Sequence, residues 1–94
     1  MRFWFKLWKD ARLKREITVE RNEEDSRTHK VFHALEDAAH AFDLAVPIWL
    51  EKNIKDFKRS SHCRFTQDSF LEPLDYDYLE MIVLEEDGPG FQTL

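Results

Sequence analysis

The sequence predicts an α+β fold, in which an antiparallel sheet of three to four strands is covered on one face by one long amphipathic helix. Two stretches near the start of the chain and one near its end alternate apolar and polar residues, which is the period of a β-strand. Residues 26–42 have the helical period instead, and their apolar stripe is Val31, Leu35, Ala38 and Phe42.

The first two strands are predicted to form an N-terminal hairpin, with its connection at residues 9–12. A two-residue loop would mix aromatic and basic residues on one face. A three-residue loop would place apolar residues of both strands on the same face, which can then be buried. It is therefore the predicted connection. The members of that face are Phe3, Phe5, Leu7, Leu13, Ile17 and Val19.

The long helix is predicted to end near residues 43–45, because Pro47 disfavours helical geometry at the residue before it. Three residues at its start are candidate N-caps: Asp25, Ser26 and Thr28. Residues 46–50 are then predicted to form a short third strand. That strand is placed at an edge of the sheet, because proline has no N–H to donate to a ladder.

A short second helix follows, with Asn53 as its expected cap and Ile54 and Phe57 on one face. Residues 60–75 have no regular pattern and are expected to be irregular. Three apolar residues should hold this segment to the core: Phe65, Phe70 and Leu71. Residues 76–85 carry apolar side chains on both faces, which is typical of a central strand.

The chain of 94 residues is long enough for one domain, predicted over residues 1–87 with a flexible tail at 88–94. Charge is divided between its two ends. Residues 1–15 hold six basic side chains and one acidic one, whereas residues 72–94 hold seven acidic side chains and no basic one. The first and last strands are therefore expected to lie side by side. The net charge of −5 argues against general nucleic-acid binding.

A cytoplasmic location is predicted from the single cysteine, Cys63, which cannot form an internal disulfide. No apolar run approaches the roughly 20 residues that span a bilayer. Lys6 and Lys9 interrupt the apolar start of the chain, unlike a signal peptide. His62 is no obvious base for Cys63, because adjacent residues of an extended segment point to opposite sides.

Opposite the apolar stripe of the long helix lies a second stripe, formed by His29, His33, Glu36 and His40. His29 and His33 have the one-turn spacing with which two imidazoles hold zinc. A metal site would need further ligands from elsewhere in the chain, and the HExxH pattern is absent. The alternative is a solvated polar face, where such residues commonly lie.

The first strand alternates cationic and aromatic residues on one face: Arg2, Trp4, Lys6 and Trp8. Single-stranded nucleic acids stack on such faces. If residues 2–9 were helical, the same composition would suit a membrane surface. The structural alternative is a second layer of core, in which the tryptophans pack and the cations extend to solvent.

Three segments of the chain are similar to a family of short, uncharacterised bacterial proteins. They read MRFWFKLWKD at residues 1–10, RTHKVF at residues 27–32 and RFTQD at residues 64–68. The resemblance covers most of the chain and implies a bacterial, cytoplasmic setting. It implies no activity, ligand or catalytic residue.

These observations predict a small non-enzymatic domain that acts through protein contacts, as an accessory or regulatory subunit or as a homodimer. The expected interface anchors are Trp4, Trp8 and Trp49, because tryptophan is enriched at binding hot spots. No cofactor is expected. The alternatives are metal binding by the histidine stripe and single-stranded nucleic-acid binding by the N-terminal hairpin.

Overall fold

The computed structural model describes residues 1–87 and contains a four-stranded antiparallel sheet with two helices, which confirms the α+β class. The elements are β1 (Arg2–Lys9), β2 (Arg12–Glu20), α1 (Arg27–Ala41), α2 (Glu51–Ser60), β3 (His62–Phe65) and β4 (Tyr78–Glu85). The strand order is β2-β1-β4-β3, so β4 is central, as predicted. The tail predicted at 88–94 lies outside the described residues. No helix within residues 1–87 is long and apolar enough to cross a membrane.

The core lies between one face of the sheet and α1. Alternate side chains of β1 and β4 are completely buried on that face: Phe3, Phe5, Leu7, Leu79 and Met81. The predicted apolar stripe of α1 is buried in full against them. Burying each of these large side chains contributes about 1.5–3 kcal/mol. The helical period therefore predicted correctly how the sheet is covered.

The basic start of the chain and its acidic end lie side by side in the sheet, because β1 pairs with β4, as predicted. Arg2 lies opposite Glu85, with 3.3 Å between Nη2 and Oε2, and Lys6 lies opposite Glu80. The Arg2–Glu85 pair is exposed and contributes little to stability. The opposite charges favour the pairing of β1 with β4 over other strand neighbours, but they add little to the free energy of unfolding.

The hairpin differs from its prediction in loop length. Lys9 pairs with Arg12, so Asp10 and Ala11 form a two-residue turn, and both have positive φ, at 53° and 60°. This is the type I′ geometry, whose twist matches that of the flanking strands. The register then shifts by one residue after Leu7.

The register shift is a β-bulge that restores most of the predicted apolar face. Leu7 lies opposite Arg15 and Trp8 opposite Leu13, which leaves Lys14 as the extra residue. Beyond the bulge, Phe3 lies opposite Val19 and Phe5 opposite Ile17. These four residues therefore share one face, as predicted. Leu13 is placed on the other face of the sheet and is exposed, so its predicted burial is wrong.

Replacing Ala11 by glycine is expected to raise the free energy of unfolding by about 0.5–1 kcal/mol, because a Cβ is unfavourable at positive φ. Urea denaturation followed by tryptophan fluorescence measures the change. Replacing Lys55, an exposed residue in the interior of α2, by glycine is the control and should lower stability by about 0.5–1 kcal/mol. If both substitutions changed the free energy of unfolding in the same direction, the positive φ at Ala11 would be contradicted.

The third strand is not where the sequence predicted it. Residues 46–50 form no strand and instead connect α1 to α2, with Ile48 N donating to Ser69 O. The edge strand next to β4 is β3, which lies within the segment that was predicted to be irregular. Its four residues do alternate, with Cys63 and Phe65 buried, but so short a run gives a weak signal. Leu71, predicted to hold this segment to the core, is 87% exposed.

The helix ends also differ in detail. Ser26, one of the three candidate caps, accepts a hydrogen bond from His29 N through its side chain. Helix α1 ends at Ala41, earlier than predicted, and Arg15 donates to the carbonyl oxygens of Ala41 and Phe42. An external donor thus satisfies carbonyl groups that helix ends leave free.

Asn53 is not the cap of α2, because this helix begins two residues earlier, at Glu51. Its side-chain oxygen accepts instead from the backbone N–H of Leu50, the residue that precedes the helix. The predicted apolar face of α2 is only half buried, with Phe57 in the core and Ile54 exposed.

Candidate functional site

The predicted metal stripe on α1 begins with two histidine–carboxylate pairs. His29 Nδ1 lies 2.8 Å from Asp25 Oδ1, and His33 Nδ1 lies 3.5 Å from Glu23 Oε2. The two imidazole rings are 6.3 Å apart. Hydrogen bonds from the His29 ring and the Ser26 amide hold the pKa of Asp25 below its usual value. Each histidine thus has its own carboxylate neighbour.

Glu36 and His40 do not join these pairs. Both are exposed, and neither has an ion pair with another described residue. Within residues 1–87, no three or more His, Cys, Asp or Glu side chains are arranged to hold a metal ion. The metal-binding alternative stays a prediction that this arrangement does not support.

Cys63 and His62 face opposite sides of the sheet. Cys63 is buried in the core, whereas the His62 ring lies 2.6 Å from Glu80 on the other face. Burial, with a smaller contribution from the charge of Asp56, raises the pKa of the Cys63 thiol to about 12. The thiol is therefore protonated at neutral pH, and thiolate chemistry has no basis here.

The sheet face away from the helices, called the open face below, carries the aromatic and basic residues of β1. Lys6 Nζ lies 3.5 Å from the ring centroid of Trp4 and 5.7 Å from that of Trp8. The rings of Trp8 and Tyr78 are 6.4 Å apart. The ammonium group of Lys6 therefore occupies the aromatic surface on which a base would stack.

Both tryptophan N–H groups on the open face have carboxylate acceptors. Trp4 Nε1 donates to Glu16 Oε1 at 3.0 Å, and Trp8 Nε1 donates to Glu80 Oε1 at 2.9 Å. Glu80 is only 9% exposed. Burial acts to raise its pKa, but hydrogen bonds from His62 and Trp8 outweigh that effect and hold the pKa below its usual value.

The open face is thus a layer of mutually satisfied groups. Arg2, Trp4, Lys6 and Trp8 share it, as the sequence predicted, but Glu16 and Glu80 add negative charge between them. Phosphate binding requires an excess of positive charge. The arrangement fits the structural alternative better, and nucleic-acid binding stays a prediction.

On the opposite side of the molecule, a cleft of about 260 Å³ lies between α1 and α2. Its walls are mainly apolar, formed by Val31, Phe32, Trp49, Ile54 and Phe57. Phe32 is 43% exposed and Ile54 is 42% exposed, so large apolar surfaces on both walls remain accessible.

Trp49 forms the floor between the two helices and packs against the hydrophobic core. Its ring packs edge-on against Phe57 and Phe65, with centroid distances of 5.5 and 5.0 Å, and lies 6.1 Å from Phe32. Its indole N–H is buried and has no acceptor within residues 1–87. In this respect Trp49 differs from Trp4 and Trp8.

A second, shallower depression of about 200 Å³ adjoins the first. Phe32 and Trp49 line both depressions, and Leu35, Val46 and Pro47 complete the second. The two depressions therefore form one continuous apolar surface, called the cleft surface below. Glu36 lies at the second depression, whereas Arg27 and Lys58 lie at the first.

Comparison with known proteins adds no family to this geometry. No protein-family model, curated protein or solved structure matches the chain. The resemblance to a bacterial family stays a prediction.

The three predicted interface anchors do not share a surface, because Trp4 and Trp8 lie on the open face and Trp49 on the cleft surface. Phe32 and Val46 are exposed apolar residues of the cleft surface that the sequence patterns did not predict. Phe32 did carry a signal, since it lies one position outside the buried stripe of α1 and is too large for a solvated face.

Proposed function

We propose that this protein is a small non-enzymatic interaction domain, which holds apolar side chains of a partner protein on the cleft surface. The observation that carries the proposal is the grouping of Phe32, Val46 and Ile54, all more than 40% exposed, around Trp49. Contiguous exposed apolar surface marks interaction sites in soluble proteins. A central tryptophan is a frequent hot spot at such interfaces.

The open face supports the proposal less well. Its tryptophans are anchored to Glu16 and Glu80, and a partner would have to displace Lys6 from their rings. Displacing satisfied polar groups costs free energy that an apolar cleft does not demand. Of the predicted anchors, Trp49 is therefore the one that we assign to the interface.

An accessory or regulatory role in the cytoplasm fits this reading. The single cysteine, Cys63, is a buried free thiol. A domain of this size can hold one partner without chemistry of its own.

The proposal is tested by placing a photo-crosslinking amino acid, p-benzoylphenylalanine, at position 54 in cells that express the protein. We expect a discrete crosslinked species after irradiation, because position 54 lies on a wall of the cleft. Introducing Phe32→Asp into the same chain should reduce its yield at least fivefold, because a charge on the apolar wall opposes docking. Gel mobility and mass spectrometry identify the product.

Position 71 provides the matched control. Leu71 is the most exposed large apolar residue among the described residues and does not line the cleft surface. The probe at position 71 should give only weak, heterogeneous products. Equal crosslinking from positions 54 and 71, or a product insensitive to Phe32→Asp, would refute the proposed function.

A further inference from the structure

The two edges of the sheet differ in how their outward backbone groups are satisfied. At the β3 edge, the carbonyl oxygen of Arg64 accepts from Asn53 Nδ2 at 2.8 Å, and that of His62 accepts from Ser60 Oγ at 3.4 Å. Side chains of α2 therefore cover this edge. The other edge strand is β2, which has nine residues against the four of β3, and all but two of them are exposed.

Hydrogen bonding at the start of the hairpin shows which backbone groups of β2 point outward. Met1 and Arg21 exchange both backbone hydrogen bonds, each at 2.9 Å. Antiparallel strands alternate between bonded and non-bonded pairs, so Val19 and Ile17 also bond to β1. The alternate residues direct their N–H and C=O groups away from β1: Glu16, Thr18 and Glu20. Within residues 1–87, no hydrogen bond from another residue reaches these groups.

An exposed edge of this kind is a template for pairing with another strand. If two copies of β2 pair antiparallel, the two-fold axis must pass through a residue, because only then do outward groups meet outward groups. An axis at Arg15 or at Glu16 places that residue opposite its own copy, so like charges meet. An axis at Thr18 places Glu16 opposite Glu20 of the second copy, and this conflict occurs twice.

An axis at Ile17 avoids these conflicts. Glu16 then lies opposite Thr18 of the second copy, and Lys14 lies opposite Glu20, with each pairing repeated by symmetry. The outward groups of Glu16 and Thr18 can form backbone hydrogen bonds on both sides of the axis. The two Ile17 side chains meet at the axis, on the sheet face that α1 covers.

The charge pattern of β2 is complementary to itself in antiparallel pairing. Its first half is basic, at Arg12, Lys14 and Arg15, and its second half holds the acidic residues Glu16 and Glu20. Antiparallel pairing brings the basic half of one copy to the acidic half of the other. Charges and bulges at a strand edge oppose indiscriminate pairing, and in β2 the charges favour one register of self-pairing over its neighbours.

We infer that the protein forms a symmetric homodimer through β2, with its two-fold axis at Ile17. Pairing of the two β2 strands joins the two four-stranded sheets into one continuous sheet. No residue of β2 lines the cleft surface, so the dimer leaves both copies of that surface accessible. This interface is additional to the proposed function and does not depend on it.

Sedimentation equilibrium of the purified protein tests the dimer. We expect twice the mass of the chain at a concentration of about 100 μM, and dissociation on dilution. Thr18→Pro removes one outward N–H but no bond to β1, and it should give a monomer. Thr18→Val keeps the N–H and is the matched control, which should remain dimeric. Urea denaturation of Thr18→Pro checks that the fold is kept.

Charge reversal tests the register without changing the backbone. Lys14→Glu places a carboxylate opposite Glu20 of the second copy, and Glu20→Lys places an ammonium group opposite Lys14. Each variant alone should dimerise about tenfold more weakly. A mixture of the two variants restores both opposite-charge pairs and should form a heterodimer with the affinity of the wild type. Lys55→Glu, on the exposed side of α2, is the control and should change the affinity less than about twofold.

Four outcomes would overturn the inference. The first is a wild-type protein that stays monomeric at about 100 μM. The second is equal dissociation constants for Thr18→Pro and Thr18→Val, and the third is a mixture of the charge variants that forms no heterodimer. The fourth is a dimer that Ile54→Asp dissociates, because the cleft surface would then be the interface. Crosslinking from position 54 tests the proposed function separately.

Discussion

Replacing Asp87 by alanine is expected to lower the free energy of unfolding by about 3 kcal/mol. The Asp87 carboxylate lies between two ammonium groups, 2.9 Å from Lys30 Nζ and 3.0 Å from the Met1 nitrogen. Lys30 is 0% exposed on α1. Removing the carboxylate takes an ion pair away from both ammonium groups, although the Met1 nitrogen still donates to Arg21 O at 2.9 Å. Breaking a buried ion pair from one side is strongly destabilising. Urea denaturation followed by tryptophan fluorescence measures the loss.

Glu86→Ala is the control for this prediction. Glu86 is the adjacent acidic residue, and its ion pair with Arg27 is about half exposed on both sides. Exposed pairs contribute about 0–1 kcal/mol, so its replacement should have a much smaller effect. If Asp87→Ala and Glu86→Ala destabilise equally, the buried cluster does not stabilise the fold as argued.

The same cluster makes stability depend on pH. Burial acts to raise the pKa of Asp87, but hydrogen bonds from Lys30 and the Met1 ammonium outweigh it and hold the pKa below its usual value. The carboxylate therefore contributes stability above its unfolded pKa of about 3.9, and that contribution is lost as pH falls through the folded value. Denaturation midpoints between pH 6 and pH 3 should fall more steeply for the wild type than for Asp87→Asn. Parallel curves would contradict this account.

Sequence periodicity predicted the elements whose residues form repeating patterns. The apolar stripe of α1 and the alternation of β1 and β4 are properties of successive residues, and all are observed. The two-residue turn at Asp10 and Ala11 was missed because its bulge at Lys14 compensates for the shorter loop. Matching the apolar faces of the two strands cannot distinguish a three-residue loop from a two-residue loop that is followed by a bulge.

The cleft surface was not predictable in the same way, because it depends on how separate segments meet. Trp49 belongs to a connector that was predicted to be a strand, and the walls of the cleft come from α1 and α2. The contact between His62 and Glu80 likewise arises from pairing of β3 with β4. Local patterns indicate which residues are apolar or charged, but tertiary packing decides which of them become neighbours.

Asn53 illustrates the same limit and yields the other large expected effect. The side chain is 1% exposed and joins three segments. Its oxygen accepts from Leu50 N at 3.0 Å and from Ser69 Oγ at 3.2 Å, and its nitrogen donates to Arg64 O at 2.8 Å. Asn53→Ala leaves these buried groups unsatisfied and should lower the free energy of unfolding by about 2–4 kcal/mol.

Two matched variants separate the contributions of this side chain. Ser69→Ala removes one of the three hydrogen bonds and should cost about 1 kcal/mol. Asn53→Asp keeps the shape and the acceptor but turns a carboxylate oxygen towards Arg64 O, so it should destabilise at least as much as Asn53→Ala at neutral pH. Urea denaturation gives all three values. If Asn53→Asp were as stable as the wild type, the hydrogen bond from the Asn53 side chain to Arg64 O would not be what holds β3 against α2.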